Sequence, residues 1–218
     1  MSGDSWFQPK QDRARPTVEA LINAAIDELR EHGPSGLRQD RVLAASGVAQ
    51  GSLYHHFGNR DGLIDAAYAT VFTRATNRVM ERVRAALERA SSVEDLTAEL
   101  VEIIDYLIGP EYDGPRHDAV AVLAMATTRP SLASLVEAAQ RQIAADMAEI
   151  ITELQRFGIL RPELDPLAVA LFIRSFTLGQ VVLSVDSSPP SAETWHTTVF
   201  TALSGFHTRA HNGGLSIE

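Results

Sequence analysis

Along almost its whole length this chain repeats its apolar residues at threes and fours, and no stretch shows the period of two that a half-buried strand needs. That periodicity confines it to an all-α fold in which apolar helix stripes cover one another. Breakers cut the pattern into about nine helices. Pro16 opens the first, whose Val18, Leu21, Ile22, Ala25, Ile26 and Leu29 share one face, and Gly33-Pro34 stops it. Two short helices follow, Arg38 to Ser46 and Gln50 to Phe57, separated by a tight turn at Gly47-Val48. After Gly58-Asn59 the pattern predicts helices over Asp61 to Ala90, Val93 to Ile108, Arg116 to Thr128, Ser131 to Phe157, Pro166 to Val185 and Ala192 to Arg209. The connection at Gly58 to Asp61 is too short to let two domains tumble separately, so the first three helices are expected to be mounted rigidly on the fourth. The expected division is residues 1–60, with a flexible arm at 1–15, and residues 61–218. A mobile tail is expected after the last helix.

Charge narrows the function. The net charge of −9 opposes nucleic-acid binding through a global field, but the acid is unevenly placed. Residues 1–62 hold seven Lys or Arg against eight Asp or Glu, whereas residues 63–218 hold twelve against twenty. Lys10, Arg13 and Arg15 cluster ahead of Pro16, and Arg38, Arg41 and Arg60 flank the two short helices. The absence of cysteine excludes a disulfide framework, a thiol nucleophile and thiolate metal sites. The N-terminal residues contain no apolar signal segment, so a cytoplasmic location is expected. The apolar run from Leu167 to Val185 carries Arg174 and Gln180, which favours a buried helix or an oligomer interface over a membrane span.

The run Leu37 to Leu63, LRQDRVLAASGVAQGSLYHHFGNRDGL, carries the most information. Two short helices meeting at a glycine, with Val42, Ala45, Val48, Leu53 and Phe57 available to pin them to the first helix, describe a helix-turn-helix. A recognition helix exposes its N-terminal side chains to base edges, and Gln50, Ser52 and His55 fit that exposed side. Gln50 can contact adenine through two hydrogen bonds, and Gly51 lets the backbone come close to DNA.

The stretch GVAQGSLYHHFGNRDGL resembles the signature of TetR-family transcriptional regulators at Gly47, Val48, Gly51, Leu53, Tyr54, His56, Phe57 and Leu63. The resemblance implies a three-helix DNA-binding head followed by a larger helical domain for ligand binding and dimerisation. It implies that Tyr54 and His56 contact phosphate and groove edge, with Leu53 and Phe57 inward. Arg60 stands where the family has a lysine against the sugar-phosphate backbone. Three positions depart from the pattern. Arg38 and Ala49 replace the capping serine or threonine of the two short helices, and Leu43 replaces a small residue where they cross. Arg38 is then expected to contact phosphate.

Elsewhere the residues admit two readings each. His55 and His56 are adjacent on a helix and cannot share a metal ion without a distant third ligand, so no metal and no cofactor is expected. Glu94, Asp95, Glu99, Glu102 and Asp105 lie in helical register opposite Leu96, Leu100, Ile103, Ile104 and Leu107, which fits a solvated face better than paired catalytic carboxylates, and an enzyme is not expected. Phe72, Tyr106, Met125 and Phe176 lie on helices that resemble the family's pocket walls, and serve either as core or as ligand lining. Arg174 is either an interface cation or the anchor of an anionic ligand. Trp195, Val199, Leu203 and Phe206 form a stripe expected to face a second copy in a four-helix bundle.

The whole predicts a homodimeric repressor that binds a palindromic double-stranded DNA operator and is released by a small-molecule effector. An activator or ligand-independent DNA binder of the same fold stays open, as do a helical enzyme and a helical interaction protein.

Overall fold

The computed structural model describes residues 15–207, so Lys10, Arg13, the expected arm and the expected tail lie outside the described residues. The described residues form α1 (Arg15–Gly36), α2 (Gln39–Ser46), α3 (Gln50–Phe57), α4 (Arg60–Arg89), α5 (Val93–Ile108), α6 (Asp113–Ala126), α7 (Pro130–Arg156), α8 (Pro166–Gly179), α9 (Val181–Ser184) and α10 (Ala192–Leu203). Short 3-10 turns at Pro110–Tyr112 and Ser204–Phe206 complete the order, and the fold is all-α as the periodicity requires.

Local chemistry sets most boundaries. At Gly33 the backbone turns left-handed (φ 67°), which breaks the regular helix of α1 where the Gly-Pro pair predicts. The Ser92 hydroxyl accepts from the Asp95 N–H at 3.0 Å to start α5, and the Asp165 carboxylate accepts from the Ala168 N–H at 2.8 Å ahead of Pro166 in α8. The Asn59 side chain accepts from the Gly62 N–H at 2.8 Å and starts α4.

The sixth helix begins three residues before its expected start, at Asp113, and two later boundaries shift further. The apolar run after Pro166 does not continue as one helix to Val185: α8 ends at Gly179, and α9 adds a single turn. At the break Gln180 is buried, and its side-chain carbonyl accepts from the Trp195 indole N–H at 3.2 Å. A polar side chain drawn inward to an indole donor, next to a glycine, outweighs the apolar pattern. The last helix ends at Leu203 because Ser204-Gly205 tightens into a 3-10 turn.

The chain forms two compact units. The first takes the residues up to Ala75 together with Ala121–Gln142, and the second takes Thr76–Val120 together with the residues from Ile143 onward. Leu21, Ala25 and Ile26 of α1, Val42 of α2, Leu53 and Phe57 of α3, and Leu63 and Ile64 of α4 share the buried core of the first unit. Within this unit Asp65, only 2% exposed, accepts from the Arg129 Nε and Nη2 at 3.0 and 2.6 Å and from the Ser131 hydroxyl at 2.5 Å. The second core gathers Met80, Leu96, Ile103, Ile150, Ile159 and Val169.

Truncating Arg129 leaves the Asp65 carboxylate buried with one hydroxyl as partner. Arg129→Ala is expected to lower unfolding stability by about 3 kcal/mol, the low end for a broken buried pair. Adding Asp65→Asn should restore part of that loss, because it removes the buried charge. Urea denaturation of the three proteins checks the order.

Candidate nucleic-acid interface and apolar cavity

The turn between α2 and α3 is made by Gly47, which sits at φ 66° and ψ 16°, while its N–H bonds the Leu43 carbonyl at 3.0 Å. A side chain is strained there, and the glycine lets the chain turn between the two short helices within the three residues Gly47, Val48 and Ala49. Leu53 is fully buried and Phe57 nearly so, which rotates the opposite side of α3 outward. On that outer side Gln50, Gly51, Tyr54 and His55 are exposed, and Ser52 and His56 are half-buried. Burial holds the His56 imidazole below its ordinary pKa, and the neighbouring His55 adds to the shift. Behind α3, a Cβ placed on Gly62 would lie 2.1 Å from the Phe57 carbonyl oxygen. Glycine at 62 is therefore a requirement of the close α3–α4 corner, and the sequence reading passed over it.

No side chain caps α2 or α3, as Arg38 and Ala49 imply. For α2 a distant group helps. Glu28 on α1 accepts from the Arg38 backbone N–H at 3.3 Å and from the Arg41 Nε at 2.6 Å. Burial of the Glu28 carboxyl pushes its pKa up, but these donors outweigh burial and hold it below the ordinary value. For α3 the N-terminal turn stays open beside the exposed Gln50 and Gly51.

The arginines of this region are engaged within the protein. Arg38 forms a two-bond pair with Asp40 at 3.1 and 2.8 Å. Arg60 donates from Nε to the Leu37 carbonyl at 3.0 Å and from Nη2 to the Pro34 carbonyl, and its Nη1 lies 3.4 Å from Asp61. Arg60 thus fastens the α1–α2 connection to the start of α4, and it does so from the position where the resemblance expects a cation facing phosphate. Arg38 and Gln50 do come together, on the rim of one shallow depression with Asp40 and Leu43.

The second unit contains an apolar cavity of about 180 Å³. Val79 and Val83 of α4, Ile103 and Ile104 of α5, Ile150 of α7 and Phe176 of α8 are among its walls. Of the five residues expected to line a pocket, Phe176 lines this cavity and the others do not. Tyr106 packs edge-on against Tyr112 with ring centroids 5.4 Å apart, and the Arg82 guanidinium lies 5.3 Å from its ring centre. Phe72 and Met125 belong to the first unit. Arg174 is buried, donates to the Thr76 hydroxyl at 2.8 Å, and has its pKa pulled down to about 10 by burial, so it keeps its charge at neutral pH.

The expected partner-facing stripe of α10 turns inward. Val199 is buried, Leu203 and Phe206 line the cavity, and Trp195 stacks on Phe176 with centroids 6.2 Å apart. Exposed apolar side chains lie on α8, at Leu167, Leu171 and Phe172, each more than two-fifths exposed, and just beyond it at Val182 and Val185. Periodicity identifies an apolar stripe but not the neighbour that covers it. The acidic face of α5 is occupied with local pairing, Asp95 with Ser91, Glu99 with Arg89 and Asp105 with His196.

The pattern of the family described as bacterial regulatory proteins, tetR family, matches residues 21–67, which span most of α1 through the first turns of α4. The HTH-type transcriptional regulator UidR of Escherichia coli is 22% identical over 169 residues, covering 78% of this chain and 82% of that protein. The HTH-type transcriptional regulator CymR of Pseudomonas putida is 33% identical over 91 residues, covering 42% of this chain and 43% of that one. Among solved structures, Salmonella enterica GusR superposes with a TM-score of 0.60 at 24% identity, covering 90% of this chain and 98% of that chain. A TetR-family regulator from Mesorhizobium loti gives a TM-score of 0.62 at 17% identity, covering 91% and 100%. The matched pattern and the regulators that resemble the chain agree with the exposed face of α3: residues 21–67 form a helix-turn-helix of the tetR-family type, and the chain is similar to DNA-binding transcriptional regulators.

Proposed function

We propose that the protein is a cytoplasmic, homodimeric repressor that holds a palindromic operator through two copies of α3 and lets it go when a small molecule binds. The observation that carries the DNA half is the outer face of α3, where Gln50, Gly51, Tyr54 and His55 surround an uncapped helix start. Open N–H groups at a helix N-terminus suit a phosphate, and Gln50 suits an adenine edge. Ser52 and His56, half-buried, flank that contact, and Arg38 adds positive charge on the rim although Asp40 offsets it. Arg60 serves by position, holding the corner from which α3 projects.

Dimerisation is supported by the exposed α8 side chains Leu167, Leu171 and Phe172. Paired with the short side chains that α10 exposes, Thr197, Thr198, Thr201 and Ala202, they would make a two-fold four-helix bundle with a second copy. The effector reading places the ligand in the second unit, within residues 61–218, while residues 1–60 bind DNA. Helix α4 contributes Leu63 and Ile64 to the first core and Val79, Met80 and Val83 to the cavity wall, so a ligand that displaces α4 can act on both. The two recognition helices would then lose the spacing of one DNA turn, ~34 Å. A coupling of ~1–3 kcal/mol is typical of such linkage.

Gly51 separates fold from function. A Cβ there meets nothing within 4 Å apart from its chain neighbours and the backbone of its own helix, so Gly51→Ala should fold and gain up to about 1 kcal/mol from helix propensity. Operator affinity should fall at least tenfold, because the new methyl occupies the space that DNA approaches. Equal affinity in a gel-shift titration would remove Gly51, and with it this face of α3, from the contact. For assembly, Leu171→Glu should keep its helix content while light scattering shows a monomer, and operator binding should weaken with the loss of the second half-site. A Leu171→Glu protein that stays dimeric would place the interface elsewhere.

A further inference from the structure

We propose that the cavity of the second unit takes a neutral, compact hydrocarbon-like molecule, of the size of an alkylbenzene, and rejects anions. The inference deepens the effector reading above and rests on it for its regulatory meaning, though not for binding itself.

Size and wall chemistry both point this way. An apolar protein cavity of roughly 150 Å³ stays dry and accepts benzene, and this one, at about 180 Å³, has room for one aromatic ring with a short alkyl group. No charged residue is among its walls, and the polar ones are Thr177 and His207. The Thr177 hydroxyl donates its proton to the Ile173 carbonyl at 2.8 Å, one turn back in its own helix. A carboxylate placed among Val83, Ile103, Ile104 and Ile150 would lose its hydration without a cation to replace it. The nearby buried cation on α8, Arg174, is directed to Thr76 and is not part of the wall. A neutral hydrocarbon has no charge to desolvate on entry and gains dispersion contacts from these walls.

The cavity has a built-in reporter. Phe176 forms part of the wall and stacks on Trp195 at 17° between ring planes, so an occupant that moves Phe176 alters the surroundings of the indole. The chain holds two tryptophans, and Trp6→Phe leaves Trp195 as the single emitter.

The test titrates full-length Trp6→Phe protein with toluene, ethylbenzene and sodium benzoate at neutral pH, following Trp195 emission and the unfolding midpoint. The expected result is a saturable emission change and a raised midpoint with the two hydrocarbons, and binding of benzoate at least thirtyfold weaker. Ile104→Phe and, separately, Val79→Phe fill the cavity and should each weaken ethylbenzene at least tenfold. Benzoate binding as tightly as toluene overturns the proposal. So does the absence of any saturable signal with the hydrocarbons up to their solubility limits, or ethylbenzene binding that neither filling variant weakens. Operator release is read separately in the same samples. Ethylbenzene that binds in the cavity but leaves DNA bound upholds the ligand class and removes this cavity as the inducer site.

Discussion

The α1–α2 connection is gripped from two sides, and the placement of α3 depends on that grip. Arg60, at the start of α4, donates to the carbonyls of Pro34 and Leu37, while Glu28, on α1, takes the Arg38 N–H and the Arg41 side chain. These contacts fix both ends of a linker that has just broken helix at Gly33 and so has carbonyls and N–H groups to satisfy. They also use up charge. Arg38, Arg41 and Arg60 each have an acceptor within the protein, and in the proposed reading base contacts fall to the uncharged donors of α3. For a chain of net charge −9 that division is consistent with the proposal that recognition is by shape and hydrogen bonds.

What the sequence disclosed follows from how local each signal is. The bounds of α5 from Val93 to Ile108 were legible to the residue because Ser92 and Gly109 are local punctuation. The turn at Gly47 and the inward side of α3, Leu53 and Phe57, were legible because spacing alone fixes them. Arg60 was not, since its acceptors lie more than twenty residues away and are backbone carbonyls that carry no sequence signature. The Asp65–Arg129 pair, 64 residues apart, was hidden for the same reason.

The α8 and α10 helices show the limit of periodicity most clearly. Both carry apolar stripes, and α8 carries more apolar surface than one neighbour covers. The stripe with the large aromatics, Trp195 and Phe206, suggested the partner-facing side, yet Trp195 stacks on Phe176 and Phe206 lines the cavity of the same chain. Two clues were present in the sequence. Gln180 interrupts the α8 run and finds the Trp195 indole, and the outer face of α10 is rich in threonine and alanine, which suits close helix approach better than core filling. Likewise Arg174 read as an anchor because a lone cation in an apolar helix is conspicuous, but only three-dimensional placement separates a cation beside a cavity from one in its wall.

The central claim is that the uncharged outer face of α3 reads a two-fold symmetric DNA site. Selection from a random duplex library, carried out in parallel with wild-type protein and Gln50→Ala, tests it most directly. The account predicts that wild type enriches an inverted repeat with half-sites about one helical turn apart, and that Gln50→Ala relaxes preference at the same base pair in each half while leaving the rest of the repeat intact. Enrichment without two-fold symmetry, or an unchanged consensus for Gln50→Ala, would contradict it.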